Sequence, residues 1–476
     1  MRLFEGGLRR RAGWIAGLTA MVGLLAVVPA AASTVPAAGT PEFAKRFAGS
    51  AGLADVANAI AVSPDGSRMF VTGRTGIVDS DILGTVSDYA TVAYDTTTGK
   101  RLWARRYDGP ANGDDVALAV AVAGDGSRVF VTGQSADASG GEDYATVAYD
   151  VAGGDQLWVR RYNGPAGGDD FAAGIVASAD GSRVYVTGTS DGSSFRAFAT
   201  LAYDASTGAL VWKSRTTNSL DRQAVGIAIA PNGSRVYVTG TTHADTTGAY
   251  ETDAYDTATG ARLWTAHLDG PSQDVPSAIA VSRDGTRVVV TGYNILPGTG
   301  FDIVTAAYRA SSGEQMWSSS YNRSSGPADE DVPRALAVAH GRVYVDGYSL
   351  GAGNFPDYTT LAYSLTGGQQ RWVRHFDDAA HGSDTAAAIA VSPDSATVYV
   401  TGEAFSRSAS FDSATIAYAA GDGHRQWMRR YDGGADATDS ATGLALLPEG
   451  SQLFVTGRST ASGANDYDFA TVAYAG

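Results

Sequence analysis

The stretch AIAVSPDGSRMFVTG, residues 59–73, decides the fold because close copies of its second half recur along the whole chain. The Val-Thr-Gly ending, or a close variant of it, returns at spacings of 52 to 60 residues. The eight glycines that end these copies are Gly73, Gly133, Gly188, Gly240, Gly292, Gly347, Gly402 and Gly457. Repeats of this length are typical of propellers and solenoids, whose units bury their apolar faces only by stacking on one another.

A second recurring stretch completes each unit and reads DYATVAYDTTTGKRLWARRY, residues 88–107, in its first copy. Its tyrosine recurs as Tyr94, Tyr149, Tyr203, Tyr255, Tyr308, Tyr363, Tyr418 and Tyr474. A tryptophan stands nine residues after each of the first seven tyrosines. Valine, isoleucine, tyrosine and threonine favour strands, while Asp-Gly and Thr-Gly favour turns, so each unit predicts four short strands.

The repeat predicts an all-β fold, an eight-bladed β-propeller of four-stranded antiparallel blades. Several strands carry apolar or small residues on both faces, which indicates that both faces are covered. Radially stacked sheets satisfy that requirement, and frequent alanines allow neighbouring blades to approach closely. A linear β-solenoid is the alternative, but it would need much shorter coils and would leave its ends open.

The N-terminal segment EFAKRFAGS, residues 42–50, matches LWARRYDGP, residues 102–110, and so predicts how the ring closes. Phe43 stands in the tryptophan position, 30 residues before Gly73, a separation that recurs in the following units. We therefore expect an N-terminal strand to complete the last blade, which removes unpaired edges. The structural docking aromatics of the eight blades are then Phe43, Trp103, Trp158, Trp212, Trp264, Trp317, Trp372 and Trp427.

The first residues have the pattern of an export signal. Three arginines at positions 9–11 precede an apolar run at residues 14–28, and small residues follow up to Ala32. This predicts a signal peptide over residues 1–32 and a single propeller domain over residues 33–476. No cysteine follows the apolar run and no second apolar segment appears, so we expect a secreted protein without stable membrane insertion.

The composition excludes several classes of function. The formal net charge of −15 at pH 7 argues against nucleic-acid binding, which needs a basic surface. The absence of cysteine excludes disulfides and thiolate chemistry. The six histidines show no metal-ligand spacing, and no nucleophile elbow or phosphate-binding loop is present. We expect a monomer that does not bind nucleic acid.

The segment YDTTTGKRLW, residues 94–103, resembles the tryptophan-docking repeat of pyrroloquinoline-quinone-type propellers. The stretch SPDGSRMFVTG, residues 63–73, is similar to the repeats of exported YVTN-type surface propellers. The first resemblance implies a propeller, and the large quinone-dependent dehydrogenases of that family have eight blades. Those enzymes carry an adjacent cysteine pair, a calcium site and an aspartate base. Because this chain has short loops and no cysteine, no catalytic residue is carried over and we expect no bound quinone.

Aspartates recur on one face of the predicted disc, the top face, where the first and third strands of each unit begin. At the first-strand start they are Asp55, Asp115, Asp170, Asp274, Asp331, Asp384 and Asp439, and Arg222 takes the remaining position. At the third-strand start they are Asp88, Asp143, Asp302, Asp357, Asp412 and Asp468. One interpretation is an acidic surface for calcium or a cationic partner. We favour the other, in which each aspartate caps its own turn or pairs with arginine, because the pattern repeats with the blade.

Two acidic clusters depart from the repeat and are candidate calcium ligands. The first top loop, residues 74–87, is longer than the others and contains Asp79 and Asp81. The last top loop contains Asp466 and Asp468. Calcium takes several oxygen ligands, which an Asp-x-Asp pair supplies in part. Neither loop has a complete calcium signature, so this expectation rests on the charge pattern alone.

Aromatic residues also gather in the top loops. They are Phe195, Tyr293, Phe301, Phe355, Phe405, Phe411 and Tyr467. Exposed together, they would suit a protein or glycan partner, whereas folded back they would cover the edges of the blades. Both arrangements are compatible with the sequence.

The leading hypothesis for function is a secreted, non-catalytic scaffold that binds an extracellular protein, glycan or small ligand through its top face. Its basis is the regularity of the blades, which leaves no inserted domain to build a deep site. The alternatives are a pyrroloquinoline-quinone-dependent dehydrogenase-like enzyme and a lyase or glycosidase on a propeller scaffold. The sequence predicts no catalytic residue.

Overall fold

The structure, a computed structural model, describes residues 36–49, 53–79, 84–216, 220–244, 247–270, 273–296, 298–324, 326, 329–351, 353–406, 410–434, 438–460 and 466–476. Of residues 77–79, 84, 244 and 247 it describes the backbone alone. Residues Ala37–Gly476 form one compact unit, which does not include Met1–Pro36. The signal peptide predicted at residues 1–32 lies outside the described residues. Within the described ranges, no helix is long and apolar enough to cross a membrane.

The described residues form strands β1 to β32, which fall into four classes by their position in a blade. The inner strands are β2 (Val56–Val62), β6 (Asp115–Val122), β10 (Asp170–Ala177), β14 (Asp221–Ile229), β18 (Asp274–Val281), β22 (Asp331–Ala339), β26 (Asp384–Val391) and β30 (Asp439–Leu446). The second strands are β3 (Arg68–Asp79), β7 (Arg128–Ala136), β11 (Arg183–Ser190), β15 (Arg235–Ala244), β19 (Arg287–Leu296), β23 (Arg342–Leu350), β27 (Thr397–Phe405) and β31 (Gln452–Thr460).

The other two classes lie further from the centre of the ring. The third strands are β4 (Gly84–Asp95), β8 (Glu142–Asp150), β12 (Ala197–Asp204), β16 (Thr247–Asp256), β20 (Gly300–Arg309), β24 (Pro356–Ser364), β28 (Phe411–Ala419) and β32 (Tyr467–Ala475). The outer strands are β5 (Arg101–Tyr107), β9 (Gln156–Tyr162), β13 (Leu210–Arg215), β17 (Arg262–Leu268), β21 (Gln315–Tyr321), β25 (Gln370–Phe376), β29 (Arg425–Tyr431) and β1 (Pro41–Phe47).

Eight four-stranded antiparallel sheets form the blades of the propeller. Blade 1 contains β2 to β5, and blades 2 to 7 follow in chain order with four strands each. Blade 8 combines β30, β31 and β32 with β1, in which Phe47 pairs with Phe469. Each inner strand contacts the inner strands of both neighbouring blades, and β2 contacts β30, so the ring is closed. The predicted eight-bladed propeller with an N-terminal strand in its last blade is confirmed.

A β-bulge in every inner strand explains the repeated glycine of the second strand. In β2 the register with β3 shifts between Ala57 and Ala59, and the other seven inner strands shift at the equivalent place. The bulge brings the carbonyl oxygen of Val56 to the position that a Cβ atom on Gly73 would occupy. The equivalent overlap exists at all eight repeat glycines. The glycine is therefore required by the close approach of two strands.

The threonine before this glycine forms a buried cross-strand pair. Thr72 Oγ1 lies 3.0 Å from Thr91 Oγ1 of the third strand, and the pair recurs in seven blades. In blade 6 the threonine is replaced by Asp346, which lies opposite Thr360. This substitution places a carboxyl group inside the propeller.

Each docking tryptophan lies on a turn of the following blade, and the apolar cores lie between adjacent blades. Trp103 Nε1 donates to the carbonyl oxygen of Val151 at 3.1 Å, and its ring covers Gly154, which has a φ of +71°. Any side chain at Gly154 would collide with the indole. Equivalent bonds of 2.9 to 3.1 Å are made by Trp158, Trp212, Trp264, Trp317 and Trp372.

The N-terminal segment completes the junction between blades 7 and 8. Gly39 lies against the ring of Trp427, and Arg429 Nε donates to the Gly39 carbonyl oxygen at 2.8 Å. Phe43 packs in turn on Gly99 of blade 1. Residues 37–40 thus replace the turn that blade 8 lacks, a role that the sequence comparison did not predict because it began at residue 42.

Deletion of residues 37–47 should destabilise the ring far more than deletion of residues 33–36. The first deletion removes β1 together with Gly39, and we expect the melting temperature to fall by about 5 °C, since about 5 kcal/mol of contacts are lost and each kcal/mol lowers it by about 1 °C in a domain of this size. The second should leave it unchanged. Thermal unfolding followed by circular dichroism measures both, and equal shifts would contradict closure by this segment.

Substitution of a repeat glycine should also be costly. We expect Gly133→Ala to lower the free energy of unfolding by about 3 kcal/mol, because the new Cβ overlaps the carbonyl oxygen of Val116. Gly421→Ala is the matched control, since an added Cβ there meets no atom within 4 Å. Urea unfolding of both variants checks the difference; a Gly133→Ala protein as stable as the control would disprove the bulge argument.

Candidate functional site on the top face

The first-strand aspartates lie buried beneath the loops that lead into the inner strands. Each is at most 2% exposed: Asp55, Asp115, Asp170, Asp274, Asp331, Asp384 and Asp439. In each, a carboxylate oxygen accepts a backbone N–H of the preceding loop at 2.5 to 3.0 Å; the donors are Gly49, Gly109, Gly164, Gly270, Arg323, Asp378 and Gly433. These carboxylates cap the loops between blades and do not present an acidic surface.

Burial raises the pKa of all seven carboxyls above the usual 3.8. For Asp274, Asp331 and Asp384 the pKa rises to about 6. Backbone hydrogen bonds to the charged form oppose the shift. Part of the buried ring therefore loses its negative charge as the pH falls towards 6.

The third-strand aspartates are also used locally. Their exposed fractions are 9% or less, and five of them form ion pairs with arginine. The pairs are Asp88–Arg106, Asp143–Arg161, Asp357–Arg323, Asp412–Arg430 and Asp468–Arg46. Asp302 instead accepts a hydrogen bond from Asn322 Nδ2 at 2.8 Å. Neither set of repeated aspartates is free to form a continuous acidic binding surface.

Blade 4 inverts this charge pattern. Arg222 is 3% exposed, and its Nε and Nη2 each lie 2.9 Å from a carboxylate oxygen of the fully buried Glu251. Glu251 stands where the other blades carry alanine, valine or threonine. Arg222 was recognisable from the sequence as an exception, but Glu251 was not predicted as its partner. A glutamate at a third-strand position that holds alanine, valine or threonine in the other blades was the signal that could have revealed it.

Of the four predicted calcium ligands, the structure describes the side chains of Asp466 and Asp468. Asp81 and the side chain of Asp79 lie outside the described residues. Asp468 is 9% exposed and lies 3.9 Å from Arg46 Nη1, while burial raises its pKa. Asp466 is half-buried, and its charge acts in the same direction on the pKa of Asp468. Calcium binding at these residues stays a prediction.

Two acidic groups at junctions between blades have carboxylate oxygens within 4.8 Å of one another. They are Asp88, Asp108 and Asp115 between blades 1 and 2, and Asp357, Asp377 and Asp384 between blades 6 and 7. A basic side chain already occupies each group. Arg106 contacts Asp108 at 3.0 Å, and Arg323 contacts Asp357 at 2.6 Å. A metal ion would have to compete with these arginines.

The top-loop aromatics take up two kinds of position. Phe195 and Phe355 are 45% and 48% exposed. The others are half-buried against a neighbour: Tyr293 with Phe301 at 5.2 Å between ring centroids, Phe405 with Phe411 at 5.4 Å, and Tyr467 with the guanidinium of Arg458 at 5.0 Å. The two interpretations of these residues therefore each describe part of the set.

A further aromatic residue, Tyr348, completes this region. The guanidinium of the exposed Arg334 lies 5.6 Å from the centre of the Tyr348 ring, and the Tyr348 hydroxyl donates to Glu330 at 3.5 Å. Glu330 also bridges to Phe301 of the neighbouring blade. Tyr348 was not among the residues named from the sequence, although Tyr293 was and stands at the same position of blade 5; an aromatic residue directly after a repeat glycine occurs only in these two blades.

Six aromatic residues thus occupy consecutive blades, two on each. We call them the aromatic sector: Tyr293 and Phe301 on blade 5, Tyr348 and Phe355 on blade 6, and Phe405 and Phe411 on blade 7. The top face is therefore chemically asymmetric although its scaffold is regular.

The carboxyl group of Asp346 lies below this sector. It is fully buried, and Asp346 Oδ1 accepts the backbone N–H of Ala335 at 2.9 Å. Oδ2 has no hydrogen-bond partner among the described residues. Burial raises the pKa of Asp346 to about 8, so the carboxyl is mainly protonated at neutral pH.

The sequence model of the family described as outer membrane protein assembly factor BamB matches residues 50–168 and 145–427. The chain belongs to the BamB family. Its resemblance to pyrroloquinoline-quinone-type propellers is confirmed by this match. Among curated protein sequences, none matches the chain.

Solved structures share the propeller fold of this BamB-family chain. BamB from Moraxella catarrhalis is 16% identical, with 92% of this chain and 100% of that chain covered and a TM-score of 0.51. Chaetomium thermophilum Sqt1, bound to the N-terminus of the ribosomal protein L10, is 13% identical, with 89% and 97% covered and a TM-score of 0.55. Quinohemoprotein alcohol dehydrogenase from Comamonas testosteroni is 12% identical, with 89% and 76% covered and a TM-score of 0.53. At these identities the likeness shows the fold alone.

Asp346→Thr, which restores the repeat residue, should stabilise the protein increasingly as the pH rises. The folded carboxyl holds its proton up to about pH 8, whereas in the unfolded chain it ionises near 3.8, so Asp346 costs stability progressively between these values. The advantage of the variant should grow by up to about 1.4 kcal/mol per pH unit in that window.

Urea unfolding at pH 5, 6, 7 and 8 measures this difference. Thr401→Asp, the reverse exchange in blade 7, is the matched control and should lose stability with the same pH dependence. A difference between Asp346→Thr and the parent that is independent of pH would contradict a buried, protonated carboxyl.

Proposed function

We propose that this protein is an exported, non-catalytic scaffold that binds a partner protein through the aromatic sector of its top face. The observation that carries the proposal is the placement of six aromatic side chains on three consecutive blades of an otherwise regular ring. Because no other blade carries a pair of such residues at these positions, the repeated scaffold does not require them.

The chemistry of the sector fits protein recognition. Tyrosine and arginine are enriched among the residues that contribute most to protein–protein binding. Arg334 is stacked on Tyr348, and Phe355 is 48% exposed, so both kinds of contact are available to a partner. Glu330 and the bridge from its loop to Phe301 hold the sector in place across two blades. A preorganised surface loses less conformational entropy on binding.

The comparisons support a binding role in a coarser way. The matching family is described as an assembly factor for outer membrane proteins, and Sqt1 was solved with a protein segment bound. The quinohemoprotein shares the fold with this chain. The repeated carboxylates of this chain, which an enzyme would need as acids or bases, are already bound to loop N–H groups or arginines.

Substitution within the sector should weaken binding of the partner. Partners captured from the extracytoplasmic fraction would be identified, purified and titrated against each variant of the mature protein. We expect Tyr348→Ala to raise the Kd by about tenfold or more, equivalent to about 1.4 kcal/mol, because it removes the ring and the platform for Arg334. Phe195→Ala, an exposed top-face aromatic on blade 3, is the control and should leave the Kd unchanged.

Two results would contradict the proposal. One is a partner whose affinity falls equally in both variants or in neither. The other is turnover: oxidation of an alcohol or sugar in a dye-linked assay with added quinone and calcium, or cleavage of a bound glycan, would identify an enzyme instead.

A further inference from the structure

We propose a second binding site on the opposite face: a cavity between blades 5 and 6 that takes a small organic carboxylate with an apolar body. The cavity has a volume of about 560 Å³ and lies between the turns that join the first and second strands of these two blades. We call it the bottom cavity; its walls include Arg283, Arg287, Val338, Ala339, His340 and Leu365. The volume is in the range usual for small-molecule sites.

A shortened turn in blade 6 helps to open the bottom cavity. The first turn of blade 5 reads SRDGTR, residues 282–287, and the other blades except blade 6 have turns of the same length. Blade 6 has only AHGR, residues 339–342, two residues fewer. His340 and Gly341 adopt positive φ values of 40° and 74°, the geometry of a tight two-residue hairpin. The turn therefore covers less of the space beside blade 5.

A missing aromatic ring distinguishes the same junction. Tyr185 and Tyr237 line the equivalent clefts between blades 3 and 4 and between blades 4 and 5, which measure about 370 and 380 Å³. Blade 5 has Val289 at this position of the second strand, where every other blade has phenylalanine or tyrosine. The side chain of Leu365 lines the bottom cavity. The bottom cavity is thus the largest of the three clefts and has an aliphatic wall.

The charged groups of the bottom cavity favour an anion. Arg283 is exposed and forms no hydrogen bond or ion pair with the described part of the chain. Its equivalents in the other six long turns are proline, glycine or alanine: Pro64, Gly124, Ala179, Pro231, Pro393 and Pro448. Arg287 lies on the same side, where its Nη1 donates to Thr286 Oγ1 at 3.0 Å and lies 3.9 Å from Asp284 Oδ2. Two guanidinium groups can bind a carboxylate with paired N–H donors.

The other polar residues of the bottom cavity are held by their own turns. Asp284 accepts hydrogen bonds from Ser282 Oγ at 2.5 Å and from the backbone N–H of Thr286 at 3.0 Å. His340 Nδ1 lies 2.5 Å from Ser395 Oγ of blade 7, which fixes the imidazole ring. Arg283 therefore remains to meet a ligand, with Arg287 beside it held by its own turn, while Val338, Ala339 and Leu365 form the apolar wall.

The expected ligand has an acid group at one end and a body of several carbon atoms. The acid group would pair with the arginines, and the body would lie against the aliphatic wall. General electrostatic attraction does not explain binding of an anion here, because the whole chain has a net charge of −15. Affinity for a carboxylate would have to come from the local arrangement.

Isothermal titration of the mature protein with octanoate tests the site. We expect saturable binding of one octanoate per chain, and at least about tenfold weaker binding of acetate, which lacks the body, and of 1-octanol, which lacks the charge. Arg283→Ser should weaken octanoate binding by about tenfold or more. Arg183→Ser is the control, since it makes the same exchange in the cleft between blades 3 and 4, and it should leave binding unchanged.

A second variant tests the contribution of the cavity without changing the arginines. Ala339→Phe should fill the bottom cavity and abolish octanoate binding, with melting temperatures showing that both variants remain folded. No saturable binding of octanoate, equal binding of acetate, or an equal loss in Arg183→Ser would overturn the proposal. Because Tyr348→Ala alters the opposite face, it should leave octanoate binding intact, so this test and the partner test fail independently.

Discussion

The contact between an indole ring and a glycine of the next blade is the constraint on which the propeller depends. Trp103 lies on Gly154 and bonds to the carbonyl oxygen of Val151, so the face of one blade fixes the position of its neighbour. Repeated around the ring, this contact must also be made where the chain begins and ends. Gly39 provides it for Trp427, which explains why the segment before β1 is part of the fold. The ring is thus closed by the same kind of contact that joins its other blades.

Closure of the ring also explains why the first-strand aspartates are buried. The inner strands contact one another around the ring, so an aspartate at the start of each strand is covered by the loop that enters it. A buried carboxylate is tolerated only with hydrogen-bond donors or a cation nearby. A loop N–H group bonds to one oxygen of Asp115 and of each of its equivalents, while Glu251 pairs with the exchanged Arg222. The repeated acidic residues therefore stabilise the junctions between blades, and chemical individuality arises where the repeat is broken.

Blades 5 and 6 break the repeat on both faces. On the top face they place Tyr293 and Tyr348 after the repeat glycines, and on the bottom face they combine Val289 with the short turn at His340. Each change leaves the bulge, the glycine and the docking tryptophan of its blade in place. A ring of equivalent blades can accept such changes because the contacts that hold it together lie elsewhere in each blade.

The sequence by itself determined the number of blades, their four-strand composition and the N-terminal strand. The reason is that each copy of the repeated sequence folds into one blade, so the number and order of the copies give the number and order of the blades. It located the docking aromatics and the repeated aspartates, but not their surroundings. Only the tertiary structure paired Arg222 with Glu251, stacked Arg334 on Tyr348, and joined the turns of blades 5 and 6 around one cavity. Those contacts link residues that are distant in sequence or differ between blades, so periodicity contains no information about them.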